Sequence, residues 1–277
     1  MRSRGSSGPT PGPSSERVDL PLFEDDLDEP GVIEATMLHR REVDVPPVAV
    51  LCFFNELLEQ LADEGQLTVS YVLRSEIGRN PVYEFQTDDG PVAVVHPGVG
   101  APLAAAIVEE MASLGVTTFV AVGGAGALVD ELSLGHVMVV ASALRDEGTS
   151  FHYAAPSRII DADPLGVRVL SSVLDDHEVP YFVGRTWTTD GFFREARSRV
   201  KRRLDENCSM VDMESSAFIA VARYRQLRFA QILYAGDSLA GATWDHRSWS
   251  RASSVREDLF RLAALGAYRL HHAPADR

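Results

Sequence analysis

The sequence predicts an α/β fold in which a mostly parallel, twisted sheet is covered on both faces by helices, giving three layers. Two observations carry this. Short apolar runs alternate with helix-length segments along the chain, and glycines gather where strands end. Strands alternating with helices imply βαβ units and a parallel sheet. Ligands of such sheets bind beyond the strand C-terminal ends, which is where chemistry is sought.

The elements follow in order. VAVLCFF (48–54) is short and apolar enough for a buried strand, Asn55 caps the helix after it, and Gly65 ends that helix. TVSYVLR, PVYEF and PVAVVH read as strands, the last running into HPGVGAP. PLAAAIVEEMASLG is a helix with Pro102 in its first turn and Gly115 just past its end. TTFVAVG (117–123) is a strand ending in the glycine-rich GGAGA, and HVMVVAS (136–142) is another. Asp163 and Pro164 open a helix to about His177, and the strand YFVGRTW follows. A polar helix around 194–206, an amphipathic helix MESSAFIAVARYRQ, a strand RFAQILYAG and a last helix over 253–271 complete the chain.

Composition narrows the function. The 277 residues are 45% hydrophobic and 24% charged, the range of globular proteins. Twenty-six basic against forty acidic residues give a net charge of −14, which repels nucleic-acid polymers and anionic lipid. Cys52 and Cys208 have no CxxC spacing and build neither a disulfide framework nor a zinc site, so a reducing cytoplasm is expected. No apolar run nears the roughly 20 residues of a membrane span. The basic N-terminus lacks the apolar stretch of a secretory signal. Residues 1–30, rich in Pro, Gly and Ser and then acidic, read as a disordered tail, and 31–277 as a single domain.

Four features collect at strand ends: His96 to Gly100, Gly123 to Gly126, Val211 to Glu214, and Gly236 to Ser238. Glycines there form tight turns or bring backbone N–H groups close to a ligand. Glu214 at a helix entry is favoured by the helix dipole, and Asp237 caps a turn in the plainer reading. Together, two carboxylates at neighbouring strand ends suit a small polar ligand.

These residues resemble the nucleoside phosphorylase and nucleosidase superfamily, which includes purine nucleoside phosphorylase, uridine phosphorylase and methylthioadenosine/adenosylhomocysteine nucleosidase. The resemblance runs from about Val48 to Leu270 and rests on GVGAP, VGGAGAL, TTDGFF, VDMESSAF and AGD in the family's order. It implies a sheet curling into a distorted barrel flanked by helices, in a homodimer or a hexamer built as a trimer of dimers. It also implies cleavage of the N-ribosidic bond of a small-molecule nucleoside without a cofactor or metal, as in purine salvage. Glu214 resembles the glutamate that binds the ribose hydroxyls, Met213 the methionine packed on the sugar, and Phe192 the aromatic beside the base. Asp237 resembles the acid that protonates or hydrogen-bonds a departing purine. Asp212, Gly100, Gly123 and Gly124 complete the expected substrate-binding set. The chemistry suits these roles: carboxylates stabilise an oxocarbenium-like sugar, and a positioned acid helps the base depart.

The sequence also departs from the family. The phosphorylase loop Gly-Asp-Pro-x-Arg is replaced by Cys52 to Glu56, and a second phosphate arginine and a hydroxyl residue are replaced by Ala121 and Gly124. Arg79 is similar to an arginine that a neighbouring subunit lends to the phosphate, and His39 to one that reaches a partner's 5′ position. Glu56 falls near the glutamate with which nucleosidases activate water. The stretch Arg194 to Arg197 lacks the glutamine of the uridine phosphorylases, and Asp237 adds to the preference for a purine-like base. On this reading water is preferred as acceptor. A phosphorylase with a rebuilt phosphate site is the alternative, with phosphate as co-substrate, and a non-catalytic nucleoside-binding protein is the alternative of another class. The loop 145–153 and residues Asp245, Arg247 and Arg251 are further candidates to line or cover the pocket.

Overall fold

The computed structural model describes residues 20–24, 26–38, 44–248 and 253–274. Ten strands form one continuous sheet. They are β1 (Val48–Cys52), β2 (Leu67–Ser75), β3 (Gly78–Gln86), β4 (Pro91–Val95), β5 (Thr118–Ala127), β6 (Val137–Asp146), β7 (Ile159–Asp161), β8 (Tyr181–Thr189), β9 (Cys208–Asp212) and β10 (Arg228–Ser238). The helices are α1 (Asn55–Asp63), α2 (Ala101–Ser113), α3 (Pro164–Asp176), α4 (Arg197–Asp205), α5 (Ser215–Tyr224) and α6 (Ser253–His272).

Strand β5 lies at the junction. It pairs in parallel with β1 and with β10, and its last residues pair antiparallel with β9. Because β10 continues to β6, β6 to β8 and β8 to β9, these five strands close on themselves into the distorted barrel. Strands β1, β4, β3 and β2 extend from β5 as an open wing. The parallel pairings join β1, β4, β5, β6, β8, β9 and β10, whereas the β2–β3–β4 meander and the β10–β6 and β5–β9 contacts are antiparallel.

Strand alternation sends residues to two cores. Ala49, Leu51, Phe119, Ala121, Phe229 and Leu233 pack with α2 and α5. Val48, Val50, Val120, Val122, Ile232 and Tyr234 pack with α1, α3 and α6. The result is three layers, with the sheet in the middle.

Local signals acted largely as anticipated. Asp163 accepts from the Leu165 N–H at 3.0 Å and Pro164 starts α3. Gly65 and Gly115 take positive φ just past α1 and α2. Four details differ. Phe54, not Asn55, occupies the cap of α1, and the Asn55 amide bonds Glu59 inside the first turn. The segment Gly123–Gly126 is not a turn but the extended second half of β5. Close packing favours two of its glycines: a Cβ at Gly123 would lie 2.8 Å from the Phe53 ring, and one at Gly126 2.6 Å from Leu239. Helix α5 is buried all round from Ser215 to Ala222, rather than amphipathic. Strands β7 and β9 were not anticipated, being too short to show a period.

Candidate active site

A cavity of about 830 Å³ opens at the C-terminal ends of β5, β9 and β10. Met213, Glu214, Asp212, Phe192, Asp237, Gly123 and Gly124 line it, so one space gathers seven of the residues singled out in the sequence.

The sugar-side wall is made where β9 hands over to α5. The Ser215 N–H donates to Asp212 Oδ2 at 2.8 Å, and the Ser215 hydroxyl donates to the same oxygen. The Thr188 hydroxyl donates to Asp212 Oδ1 at 2.9 Å and accepts from the Ser216 N–H at 3.0 Å. These contacts satisfy the free N–H groups that begin a helix. Asp212 therefore lies on the cavity wall with its carboxylate spent on the start of α5.

Glu214, two residues on, is differently placed. It is buried, with Oε1 accepting from the Gly100 N–H at 2.6 Å and Oε2 from the Met213 N–H at 3.3 Å. Gly100 has a φ of 95°, which favours glycine there and turns its N–H toward Glu214. Burial, and then the nearby Asp212 charge, push the Glu214 carboxyl up, against the lowering effect of the two N–H donors. The Gly98–Gly100 turn and the α5 entry are thereby tied together across 114 residues of chain.

At the far end, Asp237 closes β10 and accepts from Trp244 Nε1 at 2.6 Å. Glu195 lines the same region, just after the short turn Phe192–Arg194. Burial, and then repulsion from Asp237, raise its carboxyl to about 7. The Phe192 and Phe193 rings meet with centroids 3.9 Å apart at the mouth. Arg197 also lines the cavity and donates to the Leu239 carbonyl at 2.6 Å.

Phe53, Phe54, Gln231 and Arg256 also line the cavity. Arg256 comes from α6 and donates to the Tyr234 hydroxyl at 3.0 Å, and the Tyr234 ring lies against Gly124.

The remaining sequence candidates lie elsewhere. Glu56 is not on the cavity wall: its side chain is 71% exposed and accepts from Arg256 Nη1 at 3.2 Å. That position leaves a water-activating role without a wall to act from. Arg79 is exposed near the tip of the β2–β3 hairpin, outside the cavity of this chain. His39 and Arg251 fall outside the described residues. Arg145 does not line the pocket but is buried under its own loop, bonding Ser150, Ser157 and the carbonyls of Ala154 and Ala155. Glu147 accepts from the Ser216 hydroxyl at 2.9 Å, bracing α5 from behind. Among the described residues of the loop after Asp237, Leu239 and Trp244 line the cavity, whereas Asp245 and Arg247 do not.

Glu195, Trp244, Gln231 and Arg256 were missed. Glu195 and Trp244 sit in polar stretches that resemble any solvated loop, and Gln231 is embedded in an apolar strand. Among the described residues no three His, Cys, Asp or Glu side chains gather as for a metal ion, and no helix is long and apolar enough to cross a membrane.

Comparison with known proteins bears on this geometry. The family model described as "Phosphorylase superfamily" matches residues 47–265. A guanosine phosphorylase of Halorubrum lacusprofundi is 28% identical over 188 residues, 68% of this chain and 71% of that protein. A uridine phosphorylase of Thermococcus kodakarensis is 32% identical over 115 residues, 40% of this chain and 42% of that protein. Among solved structures, a uridine phosphorylase of Vibrio fischeri superposes with a TM-score of 0.68 at 23% identity, covering 85% of this chain and 98% of that one. A purine nucleoside phosphorylase of Toxoplasma gondii superposes with a TM-score of 0.64 at 22% identity, covering 82% and 94%.

Proposed function

Since the chain belongs to the phosphorylase superfamily, we propose that it cleaves the N-glycosidic bond of a purine-like nucleoside with phosphate as acceptor. One observation carries the reading: Asp237, Met213, Glu214 and the Gly123–Gly124 edge of β5 all line a single cavity. That set supplies groups suited to base, sugar and acceptor within one space.

In this reading Glu214 binds the ribose hydroxyls and Met213 packs on the sugar, whose ring gains positive charge as the bond to the base weakens. A phosphate oxygen forms the new bond to C1′ as the C1′–N bond breaks. The electron pair leaves with the base, whose nitrogen is protonated or hydrogen-bonded at Asp237. Two carboxylates at this end, Asp237 and Glu195, favour a base rich in N–H donors. A purine with an exocyclic amine and a ring N–H meets that demand, in keeping with the guanosine phosphorylase among the relatives.

The preference for water drawn from the missing arginines is set aside. The named relatives are phosphorylases, and Glu56 stands outside the cavity. A homo-oligomer in the cytoplasm, with Arg79 or His39 serving a neighbour's site, remains part of the proposal. The test is base release from purine and pyrimidine nucleosides with and without phosphate. Guanosine or inosine cleaved only with phosphate supports the reading, and cleavage independent of phosphate refutes it.

A further inference from the structure

Gln231 is 1% exposed, yet it lines the cavity, and neither its Nε2 nor its Oε1 has a hydrogen-bond partner among the described residues. A buried amide with both ends unmet costs stability and is rare in native folds. Its position is fixed by the sheet. Gln231 pairs in register with Ala121 on β5, and alternation places it on the face of Phe229, Leu233 and Ala235. That face turns toward Phe53, whose ring covers Gly123. Ala121 and Gly123 present almost no side chain beside the amide, so the polar group stands among surfaces that cannot answer it.

We propose that the Gln231 amide holds the acceptor phosphate, in place of an arginine on β5. This rests on the phosphorylase reading above. Phosphate near neutral pH carries both acceptor oxygens and an O–H. The amide matches it with Nε2–H donating to one oxygen and Oε1 accepting from the O–H. The Asp237 carboxylate disfavours an anion near the C-terminal end of β10. Arg256, which packs on the Phe54 ring, also lines the cavity and adds a positive charge to it. Sulfate has no proton to offer at this pH, so an amide that both donates and accepts discriminates against it.

The experiment measures phosphate and nucleoside KM, sulfate inhibition and thermal stability for the wild type, Gln231→Met and Gln231→Glu. Methionine keeps the volume and removes both hydrogen bonds, and glutamate adds a charge that repels the anion. Losing hydrogen bonds to a charged ligand raises phosphate KM roughly 10- to 100-fold in Gln231→Met, and further in Gln231→Glu, with nucleoside KM nearly unchanged. Gln231→Met without phosphate melts at or above the wild-type temperature, because an unmet polar group has been removed. It also gains less from added phosphate and discriminates less against sulfate. A merely structural glutamine predicts the opposite pattern: a lowered melting temperature with unchanged phosphate KM. That result overturns the proposal while leaving phosphorolysis intact. Turnover by the wild type without phosphate overturns both.

Discussion

Near the C-terminal end of β10, Asp237 and Glu195 set two acidic side chains beside the Trp244 indole; six residues earlier on the same strand, Gln231 sets an amide beside Ala121, and Arg256 lines the same cavity. The first region is acidic, and the second offers an amide that both donates and accepts. Glu214, on the same cavity wall, is held by two backbone N–H groups. A ligand with N–H groups at one end and oxyanion character at the other is oriented by this asymmetry alone. The comparison teaches that polarity of a site can be sorted by position along the sheet: Asp237 and Gln231 belong to the same strand, six residues apart.

Changes at the carboxylate end should have the largest effect. Asp237→Asn lowers kcat by about 10²–10⁴-fold, the span of general-acid help, with a smaller change in nucleoside KM. Wild-type kcat in this variant would remove the distinction between the two ends. Glu214→Gln, in the middle, lowers kcat/KM roughly 10- to 100-fold, because it weakens charged hydrogen bonds to the sugar. The same variant loses discrimination between ribo- and 2′-deoxyribonucleosides, and retained discrimination would contradict the ribose role.

Stability sharpens the contrast further. The Glu195 carboxyl titrates near 7 in the fold against an ordinary 4.5, so between those values the folded state keeps a proton that the unfolded chain has released. The contribution of this group to stability therefore falls as pH rises from 4.5 to 7 and is level above. In Glu195→Gln that fall disappears, and the Tm of the variant gains on the wild type across the same window. A Tm difference independent of pH would show that Glu195 is not desolvated beside Asp237. The smallest effect is expected outside the cavity. Glu56→Gln changes kcat by no more than about twofold, as for an exposed surface position. A loss of a hundredfold would return Glu56 to the mechanism and water to the role of acceptor.

The sequence made strands legible where apolar residues run together, as in β1, β5, β6, β8 and β10, and hid β9, whose five residues CSMVD mix polar with apolar. It made Glu214, Met213 and Asp237 legible because they follow strands in motifs of fixed order. The division of labour between Asp212 and Glu214 was not legible. Both are carboxylates near a helix start, and only the donors Thr188 and Ser215 around Asp212 separate them. The glycines of β5 were visible as a cluster, but their reason lies in Phe53 and Leu239, distant in sequence. Gln231 was silent for a related cause. A lone glutamine in an apolar strand gives no sign of its partners until Ala121 is found opposite it. Arg256 reaches the site from the last helix, 200 residues beyond the Glu56 it pairs with, and no local pattern announces such a contact.

The most direct test of the account follows the oxygen. Turnover of guanosine is run with phosphate in ¹⁸O-enriched water, and the sugar product is examined by mass spectrometry. The account predicts a sugar 1-phosphate with no ¹⁸O at the anomeric position, formed in step with free base. Free sugar formed in step with the base, with no sugar 1-phosphate, or a sugar 1-phosphate carrying ¹⁸O at that carbon, would contradict it.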